Sequence, residues 1–154
     1  MNTAQLNRAQ QGKESNQILQ WIEKGLVNLN VFDPVSAPKY CYPFDQLADL
    51  ETRARVLLEV NCAVCHRPNG PGNANIDLRY ETATDQNKMV NVPPAQSDLG
   101  NRGSMILKPG SPEKSTLWQR MKTLGQGRMP TIASTVVDKL GVELIGQWIK
   151  SLAP

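Results

Sequence analysis

Cys62-Ala63-Val64-Cys65-His66 is the stretch on which the reading of this chain turns. The two cysteines stand about one helical turn apart, so both thiols face one side, and the imidazole follows directly. Each thiol can add to one vinyl group of a porphyrin while the imidazole turns in under the iron, so C-x-x-C-H fits covalent and axial attachment of one haem. C-x-x-C alone is shared with redox dithiols and zinc sites. Zinc is the best competitor, because Cys41, Cys62, Cys65 and His66 are four ligands of the right kinds and include every cysteine and the only histidine. Against zinc, adjacent residues such as Cys65 and His66 rarely point at one tetrahedral ion, and Cys41 stands 21 residues from Cys62 without a partner of its own. A thioredoxin-like dithiol asks for a preceding strand in a βαβ setting, whereas the residues before Cys62 read as helix.

The rest of the composition suits a housing for such a group. A chain of 154 residues fits one domain with a short accessory segment. With 5% aromatic residues, 11 Gly and 11 Pro, the core is thin and loops are many, so a large apolar cofactor would fill a deficit. The net charge of +3 lies in no basic run and gives no case for nucleic acid as a partner. No apolar run reaches the roughly 18 residues of a membrane span. The polar start from Met1 to Gln11 lacks the apolar stretch of a signal peptide.

Residues 1 to about 14 show no periodicity and are assigned no structure. Ile18, Leu19, Trp21, Ile22 and Leu26 recur at helical spacing, so an accessory helix is expected from Ser15, as N-cap, to Leu26. Residues 28–44 hold three prolines and should run as an extended strap. A second amphipathic helix is expected from Asp45 to about Asn61, with Leu47, Leu50, Ala54, Leu57, Leu58 and the following Val60 on its apolar face, delivering Cys62. The Pro- and Gly-rich stretch after His66 forces a loop, from which a carbonyl of Pro68 or Pro71 could orient the imidazole. Ile76–Tyr80 and Met105–Leu107 have strand character and can pair as a small two-stranded ribbon. Ser111-Pro112-Glu113 signals a helix start running to about Lys122, and a last helix from about Asp138 to Leu152 buries Leu140, Leu144, Ile145, Trp148, Ile149 and Leu152.

A haem iron with one histidine leaves a sixth position, and no second histidine exists. Among five methionines, Met1 lies in the tail, Met89 in polar loop, Met105 in strand-like sequence and Met121 on a helix stripe. Met129 alone stands in a Gly-flanked loop before Pro130, where a side chain can be presented without helical commitments; the alternative is a loop methionine filling a core gap.

The order helix, CAVCH, long loop, helix, RMP and terminal helix over residues 45–154 resembles a class I cytochrome c. In that family a methionine ligand follows the histidine at a separation similar to the 63 residues between His66 and Met129. The resemblance implies a mostly α fold whose first and last helices cross, with Ala54, Leu58, Ile145 and Trp148 placed for that contact. Residues 1–44, the tail, accessory helix and strap, fall outside the minimal family domain. The stretches NCAVCHRPNGPGNANIDLR, KPGSPEKSTLWQRM and RMP are more narrowly similar to single-haem domains appended to larger bacterial extracytoplasmic proteins, including sugar-oxidising dehydrogenases.

The resemblance implies one haem c per chain, held by Cys62 and Cys65 with His66 and Met129 as axial ligands. The expected function is one-electron transfer without a substrate of its own, relaying electrons from a fused dehydrogenase or a partner redox protein. Attachment of haem c takes place outside the bacterial cytoplasm, so a periplasmic or otherwise extracytoplasmic location is expected, and the chain is expected to be a mature form or a domain of a longer protein. Propionates need cationic or N–H donors, for which Arg79, Arg102, Arg120 and the Trp118 indole are candidates. Each arginine has the alternative of a solvated surface charge, and Trp118 that of packing on its apolar stripe. The competing function is a haem enzyme or gas sensor in which Met129 leaves the iron; no distal acid or base in the sequence supports it.

Overall fold

The structure, a computed structural model, describes residues 7–10, 13–28, 33, 39–132 and 134–153. Backbone contacts divide it into two units, residues 1–40 and 41–154. In the first, strands β1 (Asn7–Gln10) and β2 (Lys13–Asn16) pair antiparallel with Asn7 opposite Asn16, where no structure was expected. Helix α1 (Gln17–Glu23) follows at once. Its N-cap is Asn16 rather than Ser15, the Asn16 side chain accepting from the Ile18 amide at 2.9 Å. Gly25 ends it at φ +66°, with Gly25 N donating to Ile22 O and Leu26 N to Trp21 O, the paired bonds of a left-handed C-terminal cap. Leu26 therefore lies beyond the helix and is exposed. Most of the expected strap lies outside the described residues.

The second unit is built on α2 (Leu50–Asn61), α3 (Thr116–Lys122) and α4 (Lys139–Ser151), with a 3-10 turn at Pro112–Lys114 before α3. Regular structure among the described residues is thus mostly helical, and none of these helices is long and apolar enough to cross a membrane. Helix α2 starts five residues later than its apolar pattern suggests. Asp45 is occupied in a turn of its own, accepting from Leu47 N at 3.0 Å, and the cap is Asp49, which accepts from Thr52 N at 2.9 Å. Leu47 is consequently 97% exposed instead of on the buried face, and Val60, in the last turn of α2, is 57% exposed on its outer side. Behind the turn, Arg53 is buried but not unpaired: Nε donates to Pro43 O at 2.7 Å and Nη1 to Gln46 Oε1 at 3.3 Å, which ties the end of the proline-rich stretch to α2.

Helix α4 is capped by Asp138, which accepts from Gly141 N at 3.0 Å. Its buried side carries Gly141, Leu144, Ile145, Gly146, Trp148 and Ile149, while Leu140, expected on that stripe, is 59% exposed. Two glycines set how closely its neighbours approach. A Cβ on Gly141 would stand 3.2 Å from Leu57 Cδ2 of α2, and one on Gly146 would stand 2.9 Å from Trp118 Nε1 of α3. Between these helices lies one apolar core that includes Ala54, Leu58, Met89, Leu107, Ile145 and Trp148.

The strand-like segments do not pair with each other. Met105–Leu107 runs between two other partners: Met105 bridges Ser115 and Leu107 bridges Val90, both parallel. Thr116 N donates to Met105 O at 2.8 Å and Leu117 N to Ile106 O at 3.0 Å, so the first amides of α3 are spent on this segment. Helix α3 accordingly begins after Ser115 rather than at Ser111. Ile76–Tyr80 instead follows α2, Leu78 N donating to His66 O at 2.9 Å and Asp77 N to Asn87 O at 3.0 Å.

Asp77 organises this loop. It accepts from Arg79 Nε at 2.9 Å and Nη2 at 2.7 Å, from Thr82 Oγ1 at 3.0 Å and from Arg79 N at 3.2 Å. These donors, the Arg79 side chain first, hold its carboxyl at about 2, below the ordinary 3.8. A folded-state value below the unfolded one gives stability that is complete above the unfolded value and lost as pH falls through the folded one. Asp77→Asn is expected to cost about 1–2 kcal/mol at neutral pH, the lower part of the range applying because Arg79 is partly solvated. It should also flatten the loss of thermal stability from about pH 4 to about pH 2 that the parent protein shows. A variant that keeps the parent's acid limb would show that Asp77 does not supply it.

Candidate functional site

Helix α2 hands its last carbonyls to the Cys62–His66 turn. Cys62, its C-cap, donates N–H to Leu58 O at 2.8 Å; Cys65 N and His66 N then both donate to Cys62 O, at 3.1 and 2.9 Å. One carbonyl thus fixes both the second cysteine and the histidine relative to the first. Ala63 is buried beneath the turn and Val64 is exposed on its outer side. All three cysteines are free thiols, Cys41 among them. Burial, with Cys65 beside it, pushes the Cys62 thiol up to about 11, so it is protonated at neutral pH. Burial also holds His66 below the ordinary imidazole value, which keeps the ring neutral and its lone pair available.

Glycines close the loop over this turn. Gly72 N donates to Cys65 O at 3.0 Å, and Gly70 N to Arg67 O at 2.9 Å. A Cβ on Gly72 would stand 2.8 Å from both Cys65 O and His66 Nδ1; one on Gly70 would overlap Cys65 O. The sequence expectation of a carbonyl from Pro68 or Pro71 on the imidazole is not met: His66 Nδ1 is buried with no hydrogen-bond partner among the described residues. The loop is wound so tightly on Cys65 O that the Gly72 backbone, not a carbonyl, covers that edge of the ring. Nothing among the described residues bonds Nε2 either. Gly72→Ala is expected to destabilise the protein by about 1–3 kcal/mol, since the atoms it meets are backbone and a confined ring that cannot swing away. Chemical denaturation measures this, and an unchanged midpoint would mean the loop yields without cost.

Met129 lies elsewhere in the chain, half-buried in the loop after α3, its amide donating to Arg120 O at 3.1 Å. The same Arg120 donates Nη1 to Gly127 O and Nη2 to Ser97 O, each at 2.8 Å. Trp118 donates Nε1 to Val142 O at 2.9 Å, and Lys122 Nζ sits 3.8 Å over its ring centre. Its indole is therefore engaged in packing α3 against α4. Arg79 is paired with Asp77 at 2.7 Å and Glu81 at 2.8 Å. Arg102 is exposed, and among the described residues its guanidinium has no hydrogen bond or ion pair. Three of the four expected carboxylate donors thus already have intramolecular partners.

Sequence reasoning overlooked the fit of Gly72 against His66, for which the run of glycines after the motif was the available signal, and the grip of Arg120 on the loop, for which there was none. Among the described residues no three or more His, Cys, Asp and Glu side chains are gathered as a metal ion would need, so Cys41 does not complete a four-ligand set with Cys62, Cys65 and His66. A small hollow lies under the 77–89 loop, lined by Arg55, Leu58, Asp77, Asn87, Met89 and Trp148, and the Cys62–His66 turn takes no part in it. Comparison with protein families, with curated proteins and with solved structures gave no match for this chain.

Proposed function

We propose that residues 41–154 form a single-haem electron-transfer domain of the class I cytochrome c kind, with Cys62 and Cys65 as thioether anchors and His66 and Met129 as axial ligands. The observation that carries this reading is the Cys62–His66 turn itself: two unbridged thiols and an imidazole fixed by one carbonyl at the end of α2, whose inner face is buried, with Nε2 bonded to nothing among the described residues. That donor set fits a porphyrin iron bound through one nitrogen with the ring tethered beside it. Bound haem supplies a reversible one-electron change at its iron.

The chain's own residues do the holding. Cys62, protonated at neutral pH, carries the S–H that adds across a vinyl bond. Burial keeps His66 uncharged, and Gly72 blocks rotation of its ring on the Nδ1 side. Met129 offers a thioether, which needs no deprotonation to bind iron, unlike a lysine. The contact between α2 and α4, with Ala54, Leu58, Ile145 and Trp148 all buried in one core, supports the crossed-helix arrangement. Of the four candidate donors Arg102 is the one whose guanidinium is not already engaged among the described residues, and it is the one left free for a propionate. The domain would work outside the cytoplasm, receiving electrons from a fused dehydrogenase or a partner redox protein.

Production in a host competent for haem attachment tests the reading. The full chain should carry one haem that survives denaturation and acid–organic extraction, and a Cys62→Ser, Cys65→Ser variant should release it. Haem that extracts from the parent chain, or stoichiometric zinc in its place, would sink the proposal.

A further inference from the structure

Arg120 stands on the last turn of α3 and holds three pieces of backbone at once. Its guanidinium donates to Gly127 O and to Ser97 O, both at 2.8 Å, and its carbonyl accepts from Met129 N at 3.1 Å. The main chain is therefore gripped two residues before Met129 and at Met129 itself. The anchor on the far side is a hydrogen-bonded turn: Leu99 N donates to Ser97 Oγ, Gly100 N to Asp98 Oδ1 and Asn101 N to Asp98 O, each at 3.0 Å. Gly127 sits at φ +86°, and a Cβ there would stand 2.7 Å from Leu99 Cδ2 and 3.3 Å from Arg120 Nη1, so loop and turn close tightly around the guanidinium. Two diverging carbonyls suit a planar fork with several N–H groups, whereas an ammonium is a point charge on a flexible stem.

We infer that Arg120 is a positioning residue for the Met129 thioether, clamping the loop that presents it, and is not a partner for a haem carboxylate; this rests on the proposal that Met129 is the distal ligand. A ligand on a free loop is ready to bind for only a fraction of the time, and its apparent affinity falls by that fraction. Held two residues upstream and at its own amide, Met129 is preorganised, and the ordering of this part of the loop is settled before the ligand binds.

The test uses the full-length holoprotein and its Arg120→Gln and Arg120→Lys variants. In Arg120→Gln the amide of Met129 should exchange with solvent about tenfold faster or more, the scale of losing charge-assisted hydrogen bonds, while amides of α2 keep their protection. The near-infrared band of sulfur-to-iron charge transfer should weaken, and the apparent affinity of the ferrous protein for carbon monoxide should rise by about the same factor. Arg120→Lys, able to reach one carbonyl, should recover part of each change. Unaltered Met129 exchange with an intact band would overturn the inference, as would full recovery by lysine, which would show that charge alone matters. Protection lost equally in α2 and α4 would also overturn it, by making Arg120 a general support of the fold. A parent holoprotein without the band, or a band that survives in Met129→Ala, removes the ligand assignment beneath it, an outcome distinct from a clamp that fails on a band known to come from Met129.

Discussion

Met129→Ala is expected to abolish the near-infrared sulfur-to-iron band of the oxidised holoprotein, open the ferrous iron to carbon monoxide and lower the reduction potential. Removing a ligand bound for 99% of the time or more raises the apparent affinity of a competitor by about 100-fold or more. The potential falls because a thioether favours ferrous over ferric iron. The other methionines differ in their surroundings. Met89 is 1% exposed within the apolar core, and Met121 packs on that core from α3. Met105 is half-buried, as Met129 is, on the segment that bridges Ser115. Met129 is half-buried on a loop gripped by Arg120. If the band persists in Met129→Ala and disappears in Met105→Ala or Met121→Ala, the distal assignment is wrong while the haem proposal stands. Rapid carbon monoxide binding to the parent protein at neutral pH would instead favour a sensor or enzyme in which this ligand leaves.

Trp148→Ala should destabilise the protein by about 3–5 kcal/mol, the range for truncating a fully buried aromatic side chain. In a domain of this size that is a fall in melting temperature of roughly 10–20 °C. Trp148 is the largest fully buried side chain among the described residues and lies in the core shared by α2 and α4, where rigid neighbours cannot collapse into the space it leaves. Its Nε1 is buried with no hydrogen-bond partner among the described residues. Trp148→Phe therefore removes an unsatisfied donor along with part of the ring and should cost much less, about 1–2 kcal/mol. Denaturant unfolding of the three proteins side by side gives both differences. Equal losses in the two variants would mean that the indole N–H does find a partner, and a loss below about 1 kcal/mol in Trp148→Ala would show that the core is not centred there.

The helices were legible because an apolar stripe recurring at helical spacing has few other ways to be buried, and α4 runs from its Asp138 cap to Leu152 much as its pattern reads. Starts were less legible wherever a polar side chain had two uses. Asp45 and Asp49 are equally good caps in sequence; Asp45 is diverted into its own turn, so Asp49 caps α2. The helix signal at Ser111 yields only the 3-10 turn, and α3 starts after Ser115, where the backbone of Met105–Leu107 claims the amides of Thr116 and Leu117. Pairing between distant strand-like segments cannot be read from their alternation, because the partners offered by Val90 and Ser115 carry no pattern that distinguishes them.

For the candidate site, sequence alone determined the identities and spacing of Cys62, Cys65 and His66, since the chemistry lives in those side chains and one helical turn suffices to gather them. It also made Met129, by its setting, the expected thioether among the five methionines. Only the tertiary structure decided what surrounds them: that Gly72 rather than a proline carbonyl meets the imidazole, that Trp118 donates to α4, that Arg79 answers Asp77 and that Arg120 grips the loop of Met129. The physical reason is reach. A motif is set by bonds along the chain, whereas a guanidinium or an indole can satisfy its donors with any carbonyl or carboxylate that folding brings within hydrogen-bond distance, and that neighbour is fixed by the packing of the whole domain.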